Sequence, residues 1–298
     1  SAFVCFYIHF VLLYLHERCK MKIILSKKGL DSSNSVKPIT IDNKQMIFLP
    51  IPSNQDYDNA RYSEVFENKI SLLFYCMEMG IDFGYIDNKK LPMNGTTNCH
   101  LDPQLINYFG YDNFKGSFGQ VKAAQKHLEN KQVQAGDLFL FYGWYTDNKT
   151  HKEKHTLFGY LQVGEIIKVN ELTASQKQKI VDKYPWLHHQ PHWYSQETNN
   201  TIYIARETCS FNKNIKGFGM FKYDKELDLT AKDIGTKTCW EISALKNCKV
   251  SFKDHNGNDS FNDLGQFRVA DRCQEIVIEE CPQAEKWAIN LIKKYKRR

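Results

Sequence analysis

The sequence predicts an α+β fold in which a mixed sheet or partly open barrel surrounds one long central hairpin and is flanked by several helices. The hairpin is the stretch 136–167, GDLFLFYGWYTDNKTHKEKHTLFGYLQVGEII, where two runs rich in aromatic and branched residues enclose a polar tip. Strand-like and helix-like stretches are interspersed along the rest of the chain, without an internal repeat or a low-complexity linker. We therefore expect residues 21–298 to form a single domain.

The hairpin strands are predicted at 137–145 and 156–167, with the tip at 146–155. The first strand is apolar on both faces, so we expect it to be central in the sheet and buried on both sides. Gly143 and Gly159 remove side chains beside Trp144, which leaves room for a flat ligand. The alternative is that Gly159 marks a bulge and Trp144 is a core residue.

Composition limits the protein class. The chain has 298 residues, 42% hydrophobic and 25% charged, which is ordinary for a globular protein with a sizeable core. Its 40 basic and 34 acidic residues leave a formal charge of +6, which is compatible with a polyanionic partner without being evidence for one. The 9 cysteines include no Cys-x-x-Cys pair, which favours reduced thiols in a cytoplasmic protein over a zinc cluster or a disulfide framework.

The N-terminal segment is apolar but short. Residues 2–15 lack the roughly 20 apolar residues that span a bilayer, and no basic residue precedes them as in a signal peptide. We expect Met21 to be the natural start and residues 1–20 to be an apolar extension outside the domain; an amphipathic helix or targeting element is the alternative. A strand at 21–26 then leads into a polar turn. Asp31 in this turn is either a catalytic or ligand-holding carboxylate or a cap of the turn.

The next elements are an edge strand at 47–51 and two helices at 64–79 and 118–130, the first between Ser63 as its cap and Gly80 as its stop. Between the helices, His100 and Asp102 stand two residues apart. In an extended chain their side chains share one face, which suits acid/base chemistry or a divalent metal. Alternatively, Asp102 caps a helix that begins at Pro103.

Beyond the hairpin, a short polar helix at 175–183 precedes the segment YPWLHHQPHWY. Its three histidines are a weak metal signal, and a lid or a core segment is the alternative. Strands are predicted at 200–207 and 217–221, a turn at Asn256-Gly257, a strand at the end of 265–280, and a helix at 284–295 whose lysines face solvent.

A set of segments in a fixed order carries a family resemblance. They are MKIILSKKGLDSS at 21–33, LPIP at 49–52, CHLDPQL at 99–105, FGQ at 118–120, GDLFLFYGWY at 136–145, FGYLQVGEI at 158–166, NTIYIA at 200–205 and QE at 274–275. With them the chain resembles the nucleotide modification associated domain family, in the third group of that name. The hairpin also looks like the strand pairing of PUA-like, EVE-type barrels.

The resemblance implies a role in DNA base modification, and the first hypothesis is an enzyme that acts on a nucleotide or a base in DNA. Its partners would be DNA or a nucleotide, together with other enzymes of a base-modification pathway, and no membrane; a divalent metal is compatible with it. Asp102 or Asp31 would be the general base or a metal ligand, and His100 the proton carrier. The candidate catalytic residues are Asp31, His100, Asp102 and Glu275, and the candidate ligand-binding residues are Ser32, Gln120, Tyr142, Trp144, His155 and Gln274.

Two alternatives remain. In a non-catalytic reader of modified bases, Trp144, Tyr142 and Tyr145 would stack on the base, while Lys149, Lys152 and Lys154 at the hairpin tip would contact phosphates. In the third interpretation the lysines form a solvated tip and the acidic residues are caps. Convergence of the four candidate catalytic side chains would favour the enzyme, and their scatter would favour the reader.

Overall fold

The structure, a computed structural model, describes residues 21–297 except 36, 43–44, 56, 87–88, 233–234, 255, 271–274 and 280. Residues 1–20, and with them the expected apolar extension, lie outside the described residues. Among the helices of the described residues, none has the length and apolar character needed to cross a membrane.

The described residues form four α-helices and 19 strands. The helices are α1 (Leu72–Glu78), α2 (Lys122–Asn130), α3 (Ala174–Lys183) and α4 (Pro282–Tyr295). The strands are β1 (Ile23–Lys27), β2 (Ile39–Ile41), β3 (Ile51–Ser53), β4 (Ala60–Arg61), β5 (Phe66–Glu67), β6 (Ile70–Ser71), β7 (Phe83–Ile86), β8 (Lys89–Pro92), β9 (Asn98–His100), β10 (Ser117–Gln120), β11 (Leu138–Asp147), β12 (Glu153–Lys168), β13 (Thr201–Ala205), β14 (Thr208–Cys209), β15 (Asn212–Lys216), β16 (Phe218–Met220), β17 (Cys239–Glu241), β18 (Gln266–Arg268) and β19 (Glu275–Ile278).

The main sheet contains 8 strands in the order β10-β13-β12-β11-β1-β19, with β16 paired to β12 and β2 paired to β11. It is mixed, because β11 runs parallel to β1 and β2 and antiparallel to β12. The sheet is open, and the described strands close no barrel. The predicted α+β class with a mixed sheet is confirmed.

The long hairpin is the centre of this sheet, as predicted. Every side chain from Leu138 to Tyr145 is buried, because β11 has neighbouring strands on both edges and packed residues on both faces. Phe118 lies 5.0 Å from Phe139 and 5.3 Å from Phe141 between ring centroids, and so joins β10 to the hairpin. The strands run further than predicted, so the tip shrinks to residues 148–152 and His155 lies within β12.

The glycines of the hairpin leave no gap for a flat ligand, so that interpretation is wrong. A Cβ atom added at Gly159 would lie 2.3 Å from Leu105 Cδ1, and one at Gly143 would lie 3.0 Å from the ring of Tyr145. The space over both glycines is therefore filled by neighbouring side chains. The register of the two strands shifts next to Tyr142, and Trp144 is only 5% exposed, in agreement with the alternative of a bulge and a core residue.

The helix predicted at 64–79 is largely wrong. Only α1 is helical, and Ser71 caps it by accepting a hydrogen bond from the backbone N–H of Phe74 at 3.2 Å. Before it, β5 and β6 form a small hairpin whose turn residues Asn68 and Lys69 have φ values of 52° and 67°. Apolar residues at helical spacing did not reveal this left-handed turn.

Two other predicted elements are divided. The helix at 118–130 begins as strand β10, because residues 117–120 pair with β13, and only its second part is α2. The stretch 265–280 contains two separate strands, β18 and β19, that belong to different sheets. The strand predicted at 47–51 lies further along the chain, as β3.

One pair of cysteines contradicts the expectation of reduced thiols. Cys248 and Cys281 are paired in a disulfide, although the two residues are 33 positions apart in sequence. Their spacing carries no local motif, so only the folded chain brings them together. The thiols of Cys76, Cys99, Cys209 and Cys239 are free.

The C-terminal segment is held to the domain by a partly buried ion pair. The guanidinium of Arg297 donates hydrogen bonds to Glu67 and to the backbone carbonyl of Met46. Glu67 is 3% exposed, and burial raises the pKa of its carboxyl while the charge of Arg297 offsets part of that rise. The pair therefore joins the end of the chain to the β5–β6 hairpin.

We expect Arg297→Ala to lower the free energy of unfolding by about 2–3 kcal/mol, because it leaves a buried carboxylate without its partner. Adding Glu67→Gln should recover part of the loss. Lys294→Ala is the control, since Lys294 and its partner Glu226 are each 57% exposed and their pair should contribute little. Urea denaturation measures all four proteins; equal stability of Arg297→Ala and wild type would contradict the role of the pair.

Candidate functional site

Two consecutive lysines at the end of β1 direct their side chains to opposite faces of the main sheet. Successive side chains of an extended chain alternate in direction. Lys27 pairs with Asp31 at 3.0 Å on one face, and Lys28 approaches Glu275 at 3.4 Å on the other. The end of β1 therefore separates two groups of polar residues.

Glu275 is a fully enclosed acidic residue of the second face, with an exposed fraction of 1%. It begins β19 directly opposite Ser26 of β1. Its Oε1 accepts hydrogen bonds from Gln120 Nε2 at 2.6 Å and Ser26 Oγ at 3.1 Å, while Lys28 supplies a positive charge. Its Oε2 is buried and has no hydrogen-bond partner among the described residues. An unsatisfied buried carboxylate oxygen is costly, so Oε2 is free to accept a further hydrogen bond.

Asp102 is a second buried carboxylate, 5% exposed, and it precedes Pro103 in a cis peptide bond. Its Oδ1 accepts hydrogen bonds from the backbone N–H of Gly119 at 2.8 Å and from Gln190 Nε2 at 3.1 Å. Its Oδ2 lies 3.8 Å from His192 Nε2. Burial raises the pKa of the Asp102 carboxyl, and the nearby charge of Lys28 offsets part of the rise.

His100 and His192 meet beside Asp102 with ring centroids 5.2 Å apart and nearly perpendicular planes. His100 Nδ1 lies 3.3 Å from both carboxylate oxygens of Asp58, whose side chain is fully buried. The Nδ1 atom of His192 is buried and lacks a hydrogen-bond partner in the part of the chain that the structure describes. Burial lowers the pKa of His192 well below its usual value, so the ring is neutral near pH 7.

Strand β10 contacts both carboxylates, and the charge of Lys28 acts on Asp102 as well as on Glu275. The consecutive residues Gly119 and Gln120 of β10 bind Asp102 and Glu275, respectively. A Cβ atom at Gly119 would lie 2.2 Å from the ring of His192, so only glycine allows the imidazole to lie there. We call the group that these contacts bring together the central polar site; its members are Lys28, His100, Asp102, Gln120, His192 and Glu275.

Asp31 lies in the other group. Besides Lys27, it binds the backbone N–H of Ser33 at 2.7 Å and the Ser33 hydroxyl at 2.5 Å. Burial alone would raise the pKa of its carboxyl, but Lys27 and Ser33 outweigh that effect and leave the pKa lowered. These are the contacts of a carboxylate that caps a turn, one of its two predicted roles. Ser32 is exposed on the same turn.

His155 also belongs to the face of Lys27 rather than to the central polar site. It is 1% exposed, and its Nδ1 accepts a hydrogen bond from Trp240 Nε1 at 3.1 Å, so the proton of the neutral ring is on Nε2. That Nε2 has no partner among the residues described. Burial, together with the charge of Lys27, lowers the pKa of His155 to about 3.

The aromatic residues proposed for base stacking are packed in the core. Tyr142 and Tyr145 are 0% exposed, and Tyr145 donates a hydrogen bond to the carbonyl of Ile47. Trp144 donates to Glu153 at 2.9 Å, while Lys237 covers its ring at 4.8 Å from the centroid. Lys154, assigned to the tip, instead pairs with Asp228 at 2.9 Å. Gln274 lies outside the described residues.

The structure therefore places His100 beside Asp102, connects Glu275 to them through β10 and Lys28, and leaves Asp31 elsewhere. Sequence reasoning missed Lys28 and Asp58. It noted His192 only as one of three clustered histidines, of which His188 is exposed and His189 stacks on Phe109.

Surface concavity does not identify the site. Two open clefts lie elsewhere on the described surface: one is lined by residues that include Lys115, Glu165 and Arg206, and the other by residues that include Tyr223 and Arg297. Neither lining includes a candidate site residue. The central polar site is distinguished instead by its buried carboxylates and imidazoles; single buried atoms without partners also occur elsewhere among the described residues, such as His155 Nε2 and Glu67 Oε2.

The depressed pKa of His155 has a consequence for stability. Because the folded state takes up its proton only near pH 3 and the unfolded state near 6.5, stability should fall as the pH drops from 6.5 toward 3, by up to about 1.4 kcal/mol per pH unit. We expect His155→Gln to flatten this dependence, measured by urea denaturation from pH 7 to 4. His188→Gln, at an exposed position, should keep the wild-type slope. An unchanged slope in His155→Gln would refute the assignment.

Comparison with known proteins agrees with the resemblance seen in the sequence. No curated protein and no solved structure matches the chain. The sequence model of one family, described as nucleotide modification associated domain 3, matches residues 22–279 and so covers both carboxylates and both histidines of the central polar site. The chain belongs to the nucleotide modification associated domain 3 family.

Proposed function

We propose that this protein is an enzyme that modifies a nucleotide or a base in DNA, with the central polar site as its active centre. The observation that carries the proposal is the buried pair Asp102 and Glu275, each of which has one oxygen held by hydrogen bonds, while Glu275 Oε2 has no partner among the described residues. Glu67 Oε2 also lacks a partner among the described residues, but Glu67 is paired with the guanidinium of Arg297, whereas Glu275 is linked through β10 to a second buried carboxylate.

The roles follow from the surroundings of each side chain. Glu275 accepts a hydrogen bond from a base or sugar through Oε2, because Gln120 and Ser26 already fix its other oxygen. Lys28 offsets negative charge that develops on the ligand, since its ammonium stands beside Glu275 and is largely buried, with 13% of the side chain exposed.

The proton transfers are assigned to the other half of the site. Asp102 is the candidate base, because burial raises the pKa of its carboxyl toward the range in which an acid/base group works. His100 is the candidate proton carrier, since Asp58 holds its Nδ1 and leaves Nε2 for the exchange.

The alternative of a non-catalytic reader has less support. A reader needs aromatic faces that a base can reach, whereas Tyr142, Trp144 and Tyr145 are between 0% and 5% exposed. Lys149 and Lys152 remain exposed at the hairpin tip and would suit phosphate contacts in either function.

The test is mass spectrometry of nucleosides from DNA made with and without this protein, in the presence of the other enzymes of its pathway. We expect a new or missing nucleoside with the wild type and a loss of that change by about 100-fold or more with Asp102→Asn. Glu275→Gln should weaken it strongly through loss of ligand contacts.

The matched control is Glu279→Gln, because Glu279 lies just beyond the same strand and pairs at the surface with Lys131 at 3.2 Å. It should retain the wild-type nucleoside pattern. An unchanged pattern with the wild type in the complete pathway would overturn the enzyme proposal, and binding of modified DNA that survives Asp102→Ala would then favour the reader.

A further inference from the structure

We infer that His100, Asp102 and His192 bind a divalent transition-metal ion, with Asp58 as the residue that orients His100. One ligand atom from each of the three side chains lies within 4.8 Å of the others. Nitrogen and oxygen ligands lie about 2.0–2.2 Å from an ion such as Zn²⁺, so two ligands of one ion are about 3.3–3.6 Å apart in a tetrahedral site and at most about 4.4 Å apart when they lie opposite each other. The ligand atoms must therefore approach one another by up to about 1.2–1.5 Å when an ion binds in a tetrahedral site.

The Asp102 carboxylate is arranged as a ligand would be. Gly119 and Gln190 bind its Oδ1 and thereby fix its plane, and Oδ2 faces His192. The 3.8 Å between Oδ2 and His192 Nε2 is too long for a hydrogen bond, yet within the distance that two ligands of one ion span. The two groups are thus neighbours that do not satisfy each other.

The two imidazoles carry the other features of a metal site. Asp58 contacts His100 Nδ1, which leaves Nε2 as the ligand atom, and a carboxylate behind a histidine is the usual outer partner in such sites. His192 is 6% exposed, and its Nε2 is the nitrogen that lies toward Asp102, 3.8 Å from Oδ2. Gly119 supplies the space that its ring occupies.

The ligand types limit the ion. Two imidazoles and one carboxylate suit Fe²⁺, Co²⁺, Mn²⁺ or Zn²⁺, whereas Mg²⁺ and Ca²⁺ prefer oxygen ligands alone. Three protein ligands leave coordination positions for water or a substrate atom. The inference deepens the proposed function and revises two roles in it: with the ion bound, Asp102 Oδ2 and His100 Nε2 are its ligands and are not at the same time the base and the proton carrier. It rests on ligand geometry and not on any particular reaction.

The test is titration of the metal-free, untagged full chain with Co²⁺, followed by its visible absorption, which distinguishes nitrogen and oxygen ligands from thiolates. We expect one equivalent to bind with a spectrum free of thiolate bands. Asp102→Asn and His192→Gln should each weaken binding by more than about 100-fold. Asp58→Asn should weaken it by about 10–100-fold and keep the three ligands.

His188→Gln is the matched control, because this exposed histidine lies four residues from His192 in the same segment, outside the cluster. It should bind Co²⁺ as the wild type does, and circular dichroism shows that each variant is folded. The site is overturned if the folded wild type binds no stoichiometric Co²⁺, if Asp102→Asn or Asp58→Asn binds it as tightly as the wild type, or if His188→Gln loses as much affinity. If the folded wild type binds no Co²⁺ but still produces the nucleoside change, the metal site is overturned and the enzyme proposal stands.

Discussion

The burial of two positive charges at the end of β1 is the constraint on which the arrangement of polar residues depends. Lys27 and Lys28 follow a strand enclosed between β11 and β19, and their side chains are only 6% and 13% exposed. A buried ammonium without a partner costs several kcal/mol, so each face of the sheet must supply a carboxylate. Asp31 meets this need from the next turn, whereas Glu275 comes from the far end of the chain. The two groups of polar residues are consequences of that requirement.

The sequence predicted best what depends on local pattern. The runs of aromatic and branched residues in the hairpin were sufficient to place it in the centre of the sheet, and the spacing of Ala284, Ala288 and Leu291 predicted α4 because the buried stripe of a helix repeats with its turn. The helix predicted at 64–79 was wrong because a left-handed turn at Asn68 and Lys69 overrides the same kind of spacing. Periodicity reports which side chains are buried, and it does not report where the backbone reverses.

The site shows the same division between local and distant information. His100 and Asp102 were recognisable because they are two residues apart on an extended segment. Asp58 and Lys28 carry no local signal, since their roles arise only when β1, β9 and the loop before β4 meet. His192 lies close to two other histidines, and nothing in the sequence distinguishes it from them. Gly119, within the segment FGQ, distinguishes His192 from the other two, because the ring of His192 occupies the space over this glycine.

Helix α4 lies beyond the family match but belongs to the folded core, so the two boundaries of the domain differ. The family match ends at residue 279, yet Ala284, Ala288 and Ile292 of α4 are 0–1% exposed, and the helix contacts β1. The match records which residues recur among relatives, whereas burial records which residues the core needs. An expression fragment that ends at residue 279 would lack α4 and would expose the apolar residues that α4 covers, including those of β1. Such a fragment would therefore be prone to aggregation. Fragments for crystallisation should extend through the helix to Arg297.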